Sequence, residues 1–148
     1  MRTNKIMTPL ETALSPDPLA AGYTIPGVGL GRQTVYGDDG KNTISTGSGD
    51  DMIAGGLGSD TINAGTGDDV ISSYNLEELA GDHIDGSLGF DELEIDLSTS
   101  ATGVTFTALD PVVARSMFGA NVVNVESYRL QGSNFNDSFI GGRWNDWF

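Results

Sequence analysis

The sequence predicts an all-β chain, a parallel β-roll (β-solenoid) of nonapeptide repeats that continues into a β-rich C-terminal segment. Three observations point there. Glycine makes up 21 of the 148 residues. An aliphatic residue returns at every ninth position over a long stretch. An acidic or amide residue returns two places before it. The formal net charge is -14, from 7 Lys plus Arg against 21 Asp plus Glu. Such a surface repels phosphate backbones, so nucleic acid is excluded as a partner.

Written in nines from Val28, the chain reads VGLGRQTVY, GDDGKNTIS, TGSGDDMIA, GGLGSDTIN and AGTGDDVIS. The eighth places are Val35, Ile44, Ile53, Ile62 and Ile71, and the sixth are Gln33, Asn42, Asp51, Asp60 and Asp69. Glycine recurs at the second and fourth places, where backbone with φ > 0 turns tightly. The triplet after the acid is β-prone, with its middle side chain pointing inward. A loop and a short strand make half a coil, so Ile44 should stack on Ile62 and Ile53 on Ile71, on opposite walls of a thin core. After an interruption at Ser73 to Leu76, EELAGDHID and GSLGFDELE place Asp82 and Asp91 sixth, with Ile84 and Leu93 eighth. The interruption should appear as a bulge.

One inward aliphatic per nine residues is a thin core against the entropy of ordering the chain. Stacking also sets Asp51 over Asp69, like charges that repel. A hard divalent cation between the turns resolves both problems. Positions in register pair Asn42 with Asp60 and Asp51 with Asp69; around the interruption, Asp60 pairs with Asp82 and Asp69 with Asp91. An all-oxygen cage suits Ca²⁺, which takes about 6–8 oxygens, better than Mg²⁺, which needs a strict octahedron.

GGLGSDTIN, at 55–63, carries every specified place of G-G-x-G-x-D-x-U-x, and its neighbours share the phase. The chain thus resembles the repeats-in-toxin (RTX), or hemolysin-type, calcium-binding family. That resemblance implies a right-handed parallel β-roll with several Ca²⁺ ions between adjacent loops. It implies side-chain ligands Asn42, Asp51, Asp60, Asp69, Asp82 and Asp91. Backbone carbonyls of Gly40, Gly47, Gly49, Gly56, Gly58, Gly65 and Gly67 would complete the shells. Gln33 replaces the first acid, and the uncharged Asn42 weakens its site.

The expected organisation is a leader or cap over 1–27, the calcium-binding roll over 28–94, and a β-rich continuation with an aromatic cap over 95–148. In the continuation, Leu93, Ile95 and Leu97 alternate with polar residues, as do Val104, Phe106 and Ala108. Tyr128, Phe135, Phe139, Trp144, Trp147 and Phe148 are the candidates to close the C-terminal end, or to support self-association. Asp137 and Asp146 restart the repeat but read as solvated turn residues.

No enzyme is expected. Zero cysteines exclude thiol nucleophiles and thiolate zinc, and the single His83 excludes a His-based zinc centre. The paired acids Asp38-Asp39, Asp50-Asp51 and Asp68-Asp69 recur with the repeat, which favours a loop or metal role over acid–base catalysis. No apolar run approaches a membrane span. The N-terminus lacks a Sec-type signal. With the resemblance, this implies a secreted, extracellular protein exported by a type I system. The alternatives are an adhesive or surface-layer spacer, or a non-catalytic fragment of a secreted protease, lipase or polysaccharide epimerase.

Overall fold

The computed structural model describes residues 24–25, 29–108, 115–142 and 146–148. The leader (save Thr24 and Ile25) and Trp144 therefore lie outside the described residues. Strands β1 (Thr24–Ile25), β2 (Gly29–Leu30), β4 (Thr43–Ser48), β6 (Thr61–Thr66), β8 (His83–Asp85), β11 (Arg115–Met117) and β12 (Ala120–Val123) form one sheet. Strands β3 (Thr34–Tyr36), β5 (Met52–Ala54), β7 (Val70–Ser73), β9 (Glu92–Asp96) and β13 (Ser127–Gln131) form a second. Through the repeats the chain alternates between the two sheets, and every strand pair there is parallel.

The register follows the nine-residue period. Ile44 pairs with Ile62, and Ile62 with Ile84, along the first sheet. Val35, Ile53, Ile71 and Leu93 form the matching column in the second. All seven side chains are buried and belong to one core. Each strand covers the apolar residue of the one before it, so no single turn could bury its own.

The interruption is a helical turn rather than a bulge. Helix α1 (Leu76–Leu79) begins at Asn75, whose Oδ1 accepts the N–H groups of Glu77 and Glu78, both at 2.9 Å. Leu79 is fully buried, and this anchors the insertion to the core. Asn75 is a good N-cap because its short acceptor meets the unpaired amides of a first helical turn.

Beyond the repeats the columns continue with different spacing. Ile84 pairs with Val122, Leu93 with Tyr128, and Ile95 with Leu130. Two features depart from a simple continuation. Strands β11 and β12 form an antiparallel hairpin, its two turn residues Phe118 and Gly119 at φ 49° and 92°. Paired positive φ values match the twist of a hairpin, but Phe is an unusual residue to supply one. Strand β10 (Thr105–Thr107) pairs with β14 (Ser138–Ile140) in a separate two-stranded parallel sheet. The aromatic residues divide. Tyr128 is buried against Phe106 (5.0 Å between ring centroids), and Phe139 meets Phe148 at 5.4 Å. Phe135 and Trp147 are exposed.

Candidate metal centre

The turns stack along two edges of the roll. One edge carries Asp51, Asp69 and Asp91; the other carries Asn42, Asp60 and Asp82. None is more than 5% exposed, a rare state for carboxylates. Their placement follows from the ladder. Each sixth-place carbonyl accepts a strand N–H from the next turn: Thr61 to Asn42 and Val70 to Asp51, both 2.9 Å. The sixth-place N–H falls outside that ladder and takes a side chain instead. The N–H groups of Gln33, Asn42, Asp51, Asp60 and Asp69 donate to Oδ1 of Asp51, Asp60, Asp69, Asp82 and Asp91, at 2.6, 2.8, 2.7, 2.8 and 2.9 Å. Each Asp thus ties its turn to the preceding one.

The other carboxylate oxygen distinguishes a site from a turn cap. Oδ2 of Asp51, Asp60, Asp69 and Asp91 is buried and has no hydrogen-bond partner. Thr46 stands beside Asp51, but its hydroxyl donates to the Ala64 carbonyl at 2.5 Å. Uncompensated burial of ionised carboxylates is prohibitive. Burial pushes Asp60 and Asp69 up to about 6 and Asp82 and Asp91 up to about 7; it also raises Asp51. Repulsion adds to this between Asp51 and Asp69, Asp60 and Asp82, and Asp69 and Asp91. The structure therefore brings together three of the four pairs that the spacing assigned, as close like charges.

The fourth pair differs. Asn42 Nδ2 donates to the Gly40 carbonyl and to Asp38 Oδ1 (2.9 Å), and its Oδ1 is buried without a hydrogen bond. Asp38 was expected in a recurring acidic pair with a loop or metal role, but not among the named ligands. It occupies a second place, where glycine is the rule; it is only 9% exposed, and its charge raises Asp60. Glu126 was missed as well: it accepts the Asp91 N–H at 2.9 Å from 35 residues downstream.

The glycines show how tightly the turns stack. Gly67, at φ 131°, has the Gly49 backbone where a side chain would begin. A methyl on Gly55 would stand 2.5 Å from Asp60 Oδ2. Gly40, Gly49, Gly56, Gly58 and Gly67 lie in turns, whereas Gly47 and Gly65 pair with each other inside β4 and β6. The Gly65 carbonyl accepts the Leu88 N–H at 3.0 Å, so the sheet extends further than the loop reading allowed.

Asp137 and Asp146 provide the contrast. Asp137 Oδ1 accepts the Val104 N–H (2.8 Å), and its Oδ2 accepts that of Ser133 (2.7 Å). Asp146 does the same with Tyr128 (3.1 Å) and Gly142 (2.6 Å). The Val104 N–H holds Asp137 below the usual carboxylate range. Both are turn residues, as expected, and each of their carboxylate oxygens accepts a backbone N–H.

Among the described residues no three His, Cys, Asp or Glu side chains cluster around one point. Each pair supplies two side chains, so further donors would have to be backbone carbonyls. A donor set of carboxylate, amide and carbonyl oxygens fits a hard cation. A family model described as the RTX calcium-binding nonapeptide repeat matches with four copies, over residues 29–62 and 36–71. Residues 29–71 are therefore similar to RTX repeats. No curated protein and no solved structure matches the chain. The matched segment holds Asn42, Asp51, Asp60 and Asp69; Asp82 and Asp91 extend the same two columns past its end. RTX repeats bind calcium, and the orphaned buried oxygens of this chain are donors of the kind that a hard cation takes.

Proposed function

We propose that the chain is a calcium-binding β-roll module that folds when its stacked turns take up Ca²⁺, within a secreted bacterial protein exported by a type I system. One observation carries this reading: four buried Oδ2 atoms, in turns stacked along both edges, lack a donor. The proposed side-chain ligands are Asn42, Asp51, Asp60, Asp69, Asp82 and Asp91, with turn carbonyls, including those of Gly49, Gly56, Gly58 and Gly67, filling the shells. Bound Ca²⁺ supplies positive charge that cancels the repulsion between adjacent carboxylates. The chain does the rest. Its backbone N–H groups hold each Oδ1, and its glycines let successive turns approach.

Because the turns come together only on folding, ion binding and folding are one equilibrium. Extracellular calcium modules commonly work near 10⁻⁴–10⁻³ M, roughly the range expected here. Export fits this: low cytosolic calcium keeps the chain unfolded, and calcium outside folds it. The family supports secretion, since RTX proteins are typically secreted. Circular dichroism of the full chain tests the folding claim. A β spectrum is expected in millimolar calcium and its loss in chelator; identical spectra would overturn the reading.

A second reading concerns the C-terminal end. Ile140, Trp147 and Phe148 are each more than half exposed there, which favours a spacer that self-associates. Light scattering in calcium separates this from a monomer.

A further inference from the structure

We propose that Asp91, Glu126 and the main-chain carbonyl of Asn124 form an additional Ca²⁺ site, at the junction where the roll leaves the nonapeptide register. This rests on the reading that the stacked turns bind calcium, but its acceptor residues lie outside the RTX match.

Asp91 is 0% exposed. Its Oδ1 accepts the Asp69 N–H on one side, and its Oδ2 has no hydrogen-bond partner. That Oδ2 points at Gly86. A methyl group on Gly86 would stand 2.6 Å from Oδ2 and would collide with the carbonyl oxygen of Asn124. Two oxygens from different turns thus converge on a space that only glycine leaves open. Glu126 brings a second carboxylate: its Oε2 accepts the Asp91 N–H, and its charge acts on Asp91. It takes the place in the Asp51–Asp69–Asp91 column that an aspartate would hold in a further repeat.

The surrounding backbone holds this arrangement. Gly86 N–H donates to the Val123 carbonyl at 3.1 Å, and the Glu126 and Ser127 N–H groups both reach the Asp91 carbonyl at 3.0 Å. Asn124 adopts φ 53° and donates from Nδ2 to Asp85 Oδ1 at 2.8 Å, which fixes its carbonyl over Gly86. Two carboxylates and a carbonyl make a hard-oxygen site, so the ion class is Ca²⁺ rather than zinc or copper. Its consequence is to tie β12 and β13 to the repeats, making the ordering of the C-terminal segment calcium-dependent as well.

Native mass spectrometry of the full chain in calcium counts the ions. Glu126→Gln keeps an acceptor for the Asp91 N–H but removes the charge, and Glu126→Asp keeps the charge but shortens its reach. Both are expected to bind one ion fewer than wild type. Glu94→Gln, which removes an acid from the outer face of β9, is expected to leave the count unchanged. An unchanged count in both Glu126 variants overturns this site and leaves the repeat sites standing. So does an equal loss in Glu94→Gln, or the loss of every ion in both Glu126 variants. A wild-type chain that binds no calcium overturns the repeat reading, and this site with it.

Discussion

Replacing Asp69 by Asn separates two effects that aspartate combines. Asn retains an oxygen for the Asp51 N–H, now 2.7 Å from Asp69 Oδ1. It removes a carboxyl whose pKa burial, with the charge of Asp51, raises to about 6. A rise of about two units above the unfolded value corresponds to about 3 kcal/mol at neutral pH. Without metal, Asp69→Asn should therefore stabilise the fold by up to about 3 kcal/mol, several degrees at roughly 2–4 °C per kcal/mol. With calcium the sign reverses, because the charge is then needed. The loss should be on the order of 10–100-fold in calcium affinity, which even an outer-shell partner of a metal can bring. Asn42 shows that the column accepts an amide, with Nδ2 turned toward neighbouring oxygens. The assay is thermal unfolding by circular dichroism at pH 7.5, in chelator and in millimolar calcium. Sucrose in both arms keeps the metal-free fold populated. A variant destabilised in chelator, or unchanged in calcium, would refute the argument.

Further expectations follow from the same geometry. A carboxylate raised by burial binds a proton more readily folded than unfolded, so metal-free stability should fall as pH rises from about 4 to about 7. Asp82 and Asp91, raised to about 7, should dominate the upper part of that window. Urea titrations in chelator, with sucrose again holding the metal-free fold populated, check this at several pH values, and stability that grows with pH there contradicts it. Gly67→Ala places a methyl against the Gly49 backbone at φ 131°, and should cost more than about 1–3 kcal/mol in calcium melts. Asp137→Asn should leave the calcium midpoint unchanged while lowering the melting temperature, because Asp137 has N–H donors on both oxygens. Leu79→Ala should cost about 2–5 kcal/mol, since this fully buried residue anchors the inserted helix.

Local period alone determined much of this protein. Nine-residue spacing put Ile44 on Ile62 and Ile53 on Ile71, and set Asp51 with Asp69 and Asp60 with Asp82. These are legible because a solenoid turn touches only its neighbours, so spacing along the chain becomes position in space. Tertiary structure decided what no period records. Asp137 and Asp51 look alike in sequence; their Oδ2 atoms differ because the N–H of Ser133 turns in to meet one and no donor reaches the other. Glu126 joins the column of Asp91 because β13 pairs with β9, across 35 residues, and the inserted turn became a helix because Leu79 found the core. Long-range pairing is chosen by packing over the whole assembly, and a segment that has left the repeat no longer carries its address in its own residues.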